Sequence, residues 1–314
     1  MWYLNSISTR ISTVSLQELF WRTAAASVCS ILAACVFVSS ALAEDKERQS
    51  VFVNSTGMRM VLIRSGEFQM GAPEDEVGSR IDEQPVHAVK ISAPFFLGAY
   101  EVTQTEYEKV MGVNPSYFSP AGDGQQKVAN LDAGRLPVEQ VSWDDCIAFC
   151  EKLSALPEEK AAGRVYRLPT EAEWQYSCRA GTTSPFHTGA SLGSSDANFN
   201  GNFPYGDAPR GAFLGRTSVI GSYKPNAFGL YDMHGNVAEL TADRYGRYYY
   251  KDSPSVDPEG PEGGNDRVVL GGSWGTDAAR CRSAFRRSNA TSGKAYYFGF
   301  RVACDVPAED TTGK

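Results

Sequence analysis

Cys281 stands in the stretch GGSWGTDAARCRSAFRR (271–287), between a glycine pair and four arginines, Arg280, Arg282, Arg286 and Arg287. A thiol among guanidinium groups can be a reactive thiolate, because neighbouring positive charge lowers its pKa. It can equally be a soft-metal ligand or half of a disulfide, and the residues alone leave all three open. The arginines offer forked donors that match carboxylate or phosphate. Arg280, Arg282 and Arg286, with Trp274, are therefore candidates for lining a ligand cleft. A second stretch that could do chemistry is DMHGNVAE at 232–239. Asp232 and Glu239 bracket a glycine turn, with backbone carbonyls between them, an oxygen-only donor set of the kind calcium accepts. The competing reading is a tight turn with a capping aspartate. His234 lies inside that string, and the chain has only two other histidines, His87 and His187, which sets the sequence against a three-histidine metal centre.

The chain that must hold these groups has 314 residues, 42% hydrophobic and 21% charged, enough for a sizeable core. Thirty Gly, sixteen Pro and 11% aromatic residues indicate many turns packed by rings. A net charge of −7 argues against nucleic acid as a partner. After Arg22 an apolar run closes in Ala41-Leu42-Ala43, the pattern of a signal peptide spanning 1–43. Two rivals are a lipoprotein box at Leu32–Cys35 and a retained anchor, and only these would bring the chain to a membrane. In every case the expectation is an exported protein of the periplasm, cell envelope or medium. Removing Cys29 and Cys35 leaves five cysteines, Cys146, Cys150, Cys178, Cys281 and Cys304, which in an oxidising compartment suggests two disulfides and one residue left over.

Residues 44–56 read as a polar leader, 57–304 as one domain and 305–314 as a polar tail. Strands are predicted at 60–64, 67–70, 86–91, 95–100, 267–270 and 299–303. Three helices carry start signals: Thr103 with Glu106, Thr170 with Glu173, and Ser142 ahead of WDDCIAFCEKL. In the last, Cys146, Cys150 and Leu153 fall at i, i+4 and i+7 and share a buried face. The fold class is α+β with short elements and much irregular chain.

Seven strings then appear in order: MVLIRSGEFQMGA, PFFLGAYEVTQTEY, PVEQVSWDDCIAFC, YRLPTEAEWQYSCRAGT, NAFGLYDMHGNVAEL, RVVLGGSW and FGFRVA. In order and spacing they resemble the formylglycine-generating enzyme, or sulfatase-modifying factor, family across about 57–304. The resemblance implies that family's complex fold, poor in regular structure and related to C-type lectin domains. It implies calcium bound through the side chains of Asp232 and Glu239 and the carbonyls of Gly235 and Val237. A weaker second calcium site would use Asn198, the carbonyl of Phe199 and a carbonyl near Phe213, but the family's aspartate is replaced by Gly211.

The family's oxidase chemistry, which turns a substrate cysteine into formylglycine, needs two copper(I)-binding cysteines five positions apart shortly after GGS. Here Thr276 stands where the first would fall, counting forward, and Cys281 is left as a weak candidate for the second. One thiolate cannot make a two-sulfur site, so copper is not expected. The resemblance also implies disulfides Cys150–Cys304 and Cys178–Cys281, with Cys146 left over or alternatively paired to Cys304. Cys304 and Cys281 are displaced by two from the family's positions at Val302 and Ser283, a shift that keeps the same face on a strand. The expectation is an exported family member lacking the copper pair and acting as a peptide-, glycan- or protein-binding accessory module. Sulfatases are the partner that the family suggests. The rivals are an active oxidase using Cys281 with a second thiol such as Cys146, and a purely structural envelope protein.

Overall fold

Each of the three longer helices starts where its cap was read, because the N-cap side chain and the third helical residue satisfy each other's backbone N–H groups. The computed structural model describes residues 51–306; the signal-peptide and lipoprotein readings and the tail beyond 306 lie outside the described residues. Helix α1 (Gln104–Met111) is boxed by Thr103 and Glu106, α2 (Trp143–Ala155) by Ser142 and Asp145, and α4 (Glu171–Arg179) by Thr170 and Glu173. A short α3 (Pro157–Ala161) opens on proline, whose missing N–H costs nothing at that position. On α2, Cys146, Phe149, Cys150 and Leu153 are buried, the helical stripe the sequence indicated.

The strands form three sheets. A five-stranded antiparallel sheet orders β1 (Val51–Val53), β2 (Arg59–Ile63), β5 (Phe95–Gly98), β11 (Ala303–Asp305) and β6 (Tyr166–Arg167). The N-terminal residues read as polar leader thus enter the fold from Val51, because Val51 pairs with Val61 and Val53 with Arg59. A four-stranded sheet orders β10 (Phe298–Gly299), β7 (Ala238–Arg244), β8 (Asp266–Leu270) and β9 (Arg287–Ala290), with β10 and β7 parallel and the rest antiparallel. The third is the hairpin of β3 (Gly66–Met70) and β4 (His87–Ile91). The single stretch expected at 299–303 is divided: β10 and β11 serve different sheets, with Arg301 in the link between them.

Two apolar clusters fill the centre. One joins α1 and α2 to β2, β11 and Phe300, with Tyr107 stacked on Phe149 and Phe149 edge-on to Phe300. The other gathers β2, β4, β5 and β8 around Trp174 of α4, the largest fully buried side chain. The Trp174 indole N–H donates to Glu239 of β7 at 2.8 Å, which satisfies the polar atom of an otherwise apolar anchor.

Candidate functional site

The arginines of the 271–287 loop divide into two kinds. Arg282 is fully buried and donates to Glu83 at 2.7 and 3.0 Å, to Glu76 at 2.5 Å and to the carbonyl of Gly78 at 2.7 Å. Arg286, also fully buried, makes a bidentate pair with Glu171 at 2.7 Å on each arm and donates to the carbonyls of Asp82 and Gly246. Arg301 repeats the arrangement with Glu239. These fork-to-fork pairs tie the 76–83 segment, α4 and β7 to the C-terminal third of the chain. Arg282 and Arg286 therefore do not line a cleft, as the sequence suggested; their donors are consumed inside the protein. Arg280 is exposed and only loosely paired with Asp277 at 3.5 Å. Trp274 turns the other way, edge-on to Phe118, stacked on Phe213 and tilted against Tyr296, with its N–H donated to the Tyr296 carbonyl.

Cys281 ends a 3₁₀ turn, Ala278–Cys281, capped by Asp277. Its thiol lies 3.5 Å from Thr276 Oγ1 and 3.6 Å from the Asp277 carbonyl, and burial pushes its pKa up to about 12. The loop can close this tightly because Gly272 has a left-handed φ of +68°. A Cβ there would stand 2.6 Å from Cys281 Sγ and 2.7 Å from the Arg280 carbonyl. The argument that Cys281 and Ser283 share a face requires extended chain, and the 3₁₀ turn breaks it. Ser283, not Cys281, is the residue facing Cys178, at 3.6 Å. All five cysteines among the described residues are buried free thiols, so neither expected disulfide is formed. Cys146, Cys150 and Cys304 pack in one apolar cluster.

His234 is a packed, neutral histidine. Its Nδ1 donates to the Cys281 carbonyl at 2.7 Å, its Nε2 accepts from the His187 backbone N–H at 3.1 Å, and burial lowers its pKa to about 3.

The 232–239 string turns at Gly235, where φ is +88° and a Cβ would meet the Asn198 carbonyl at 2.3 Å. This brings Asp232 and Glu239 into the neighbourhood of a third carboxylate that sequence reading missed, Glu101. All three are buried, against a single buried guanidinium, Arg301. Glu101 accepts from Asn236 Nδ2 at 3.2 Å and from the Val237 N–H at 3.4 Å. Burial first, and then the nearby charges of Asp232 and Glu239, push its carboxyl well above the usual range. Asp232 accepts from the Gly221 N–H at 2.7 Å, and burial raises its pKa to about 6. Surplus negative charge of this kind attracts a hard cation, but both Glu239 oxygens already accept from Arg301 and Trp174, and among the described residues no group of three acidic, histidine or cysteine side chains is placed to hold a metal ion. At the second expected site Asn198 Oδ1 is buried without a partner. A Cβ at Gly211 would fall 1.9 Å from the Ser194 hydroxyl, so an aspartate there requires that side chain to rotate away. Phe199 is core, beside Phe186 and Cys281, and Phe213 is half exposed against Trp274.

Short strands in small sheets, short helices, much irregular chain and three buried arginine–carboxylate staples define a mixed α+β protein poor in regular structure. The sulfatase-modifying factor enzyme 1-like domain matches residues 46–306, and the chain belongs to that family. It is 37% identical over 292 residues to the formylglycine-generating enzyme of Streptomyces coelicolor, covering 78% of this chain and 89% of the relative. It is 32% identical over 295 residues to that of Bos taurus, covering 79% and 75%. The structure of PvdO from Pseudomonas aeruginosa matches with a TM-score of 0.68 at 33% identity, over 82% of this chain and 98% of that one.

Proposed function

We propose that this chain is an exported, non-oxidase member of the family, a binding module for a peptide segment of another exported protein. The observation that supports it is the environment of Cys281. A copper(I) site needs two thiolates, whereas the nearest side-chain partner of this thiol is the hydroxyl of Thr276, and burial holds the thiol protonated. The surface beside the loop favours recognition: Phe213 and Tyr296 are each more than two-fifths exposed and meet Trp274. Aromatic faces of this kind supply contact area at low entropic cost. Sulfatases are the partner the family suggests. The test is to incubate residues 44–314 with copper(I), oxygen, reductant and a Cys-x-Pro-x-Arg peptide. Mass spectrometry is expected to show unconverted cysteine; an aldehyde that disappears in Cys281→Ser would overturn the reading.

Calcium belongs to the same proposal as a structural ion. Asp232 and the Gly235 and Val237 carbonyls would hold it together with Glu239, once Glu239 gives up part of its pairing with Arg301 and Trp174, and its charge would offset the surplus carboxylates around Arg301. Adding calcium to protein treated with chelator is expected to raise Tm. Saturation at a hundred times Kd corresponds to about 2.7 kcal/mol. In Asp232→Asn the calcium-dependent rise should vanish, and an equal rise in that variant counts against the site.

A further inference from the structure

We infer that Arg80, Arg280 and Arg287 form a binding site for a small oxyanion. The three side chains line one open cavity of about 280 Å³, whose other walls include Gly272, Thr276 and Phe285. Among the described residues no carboxylate lines it, although the protein as a whole carries a net charge of −7. A cleft of one sign on a protein of the opposite sign concentrates counter-ions of its own choosing.

The contrast with the neighbouring arginines carries the inference. Arg282, Arg286 and Arg301 each face a buried carboxylate in bidentate geometry, so the fold has spent their donors. The cavity arginines have no buried bidentate carboxylate partner. Arg280 meets Asp277 only at 3.5 Å, with most of its side chain exposed. Arg80 gives one arm to Asp82 at 3.1 Å, a carboxylate already accepting from the Tyr245 hydroxyl at 2.6 Å. Arg287 makes no ion pair among the described residues; it lies over the rings of Phe298 and Tyr297, 5.0 and 5.8 Å from their centroids. A cation resting over ring faces makes no conventional hydrogen bond to them, so its N–H donors stay open to a ligand.

The three come from separate segments, and the backbone at each is held in place. Arg287 is held on β9 by its register opposite Val269. Arg80 precedes the 3₁₀ turn Ile81–Glu83, lies 5.4 Å from the Phe285 ring and donates to the Arg286 carbonyl at 3.4 Å. Arg280 is set by the Asp277 cap and the tight turn at Gly272, where any Cβ would strike the Arg280 carbonyl. A cavity of this size is just below the usual range for small-molecule pockets, roughly 300–1,000 Å³, and suits one charged group rather than a length of chain. Its ligand is the phosphate, sulfate or carboxylate end of a small molecule, taken by forked charge-assisted hydrogen bonds. This inference does not depend on whether the Cys281 loop has oxidase activity, which the peptide assay decides separately.

The experiment is thermal unfolding of residues 44–314 in increasing phosphate, sulfate or acetate, each against sodium chloride at matched ionic strength. At least one oxyanion should raise Tm saturably; response to phosphate or sulfate marks a tetrahedral ligand, response to acetate alone a carboxylate. Arg287→Gln should weaken the apparent Kd by about tenfold or more, the order of one charged hydrogen-bond pair, while Arg210→Gln, on an exposed segment elsewhere, should not. If Arg287→Gln folds poorly, the exposed Arg280→Gln gives the same comparison. Rises no larger than those in chloride, or undiminished in the arginine variants, would overturn the site.

Discussion

Glu171→Ala is expected to lower the unfolding free energy by about 3–5 kcal/mol, the range for removing one partner of a buried ion pair. Glu171 lies at the start of α4 with almost no exposed surface, and both carboxylate oxygens face Arg286 at 2.7 Å. Oε1 also accepts from the Tyr250 hydroxyl at 2.8 Å, and that hydroxyl accepts from Gln175 at 2.8 Å. Truncation leaves a fully buried guanidinium without its counter-charge, only partly stabilised by two carbonyls and the Tyr250 ring 4.5 Å away. The desolvation cost of that charge, rather than the lost attraction, makes the effect large. Glu171→Leu combined with Arg286→Met removes both charges and should recover part of the loss. Recovery remains incomplete, because Asp82 and Gly246 lose a donor to their carbonyls and Tyr250 loses its acceptor. Denaturant unfolding of the three variants gives the coupling energy. A loss below about 1 kcal/mol for Glu171→Ala would show that the pair is solvated and does not staple the fold.

The same staples explain what could be read from the sequence. Helix starts were legible because a capping box is complete within four residues: Thr103 with Glu106 and Thr170 with Glu173 need nothing distant. The strands β3 and β4 were legible as stretches at 67–70 and 86–91, but their pairing, across 17 to 25 residues, was not read. Strand β7 was not legible at all. Its Thr241 and Asp243 look like surface residues and its Glu239 reads as a calcium ligand, yet all three are buried and paired inside the protein. Their partners are Arg301, the Val268 carbonyl and the Glu171 N–H, 27 to 72 residues away. Arg282 and Arg286 misled in the same way, since polarity suggested a cleft while their carboxylates lay 115 or more residues upstream. Glu101 gave no local signal either; only folding sets it beside Asp232 and Asn236. Sequence shows a polar group's capacity for hydrogen bonds, but long-range pairing decides whether that capacity is spent inside the protein or offered to a ligand. Arg80 and Arg287 fall in the second class and could be found only by exclusion, after the other arginines had been paired.

Thr276→Cys should convert the loop into a copper(I) site. Thr276 and Cys281 are five positions apart, and the Thr276 hydroxyl already lies 3.5 Å from the Cys281 thiol, so the new sulfur enters beside the old one. The hydroxyl bridges the Ser273 N–H and carbonyl at 3.0 Å, and the turn loses that bridge with the substitution. Because Gly272 and the Asp277 cap still shape the loop, a modest loss of stability is expected rather than unfolding. Burial raises the pKa of a solitary thiol, but a soft cation shared between two sulfurs replaces both protons and reverses the penalty. Under reducing conditions wild type and Cys281→Ser should bind copper(I) alike, while Thr276→Cys should take up one further equivalent in competition with a chelator. That equivalent should disappear in the double variant Thr276→Cys with Cys281→Ser. If Thr276→Cys folds and still binds no more copper than wild type, the hydroxyl is not what keeps this loop from the metal, and the barrier lies in the burial of Cys281 itself.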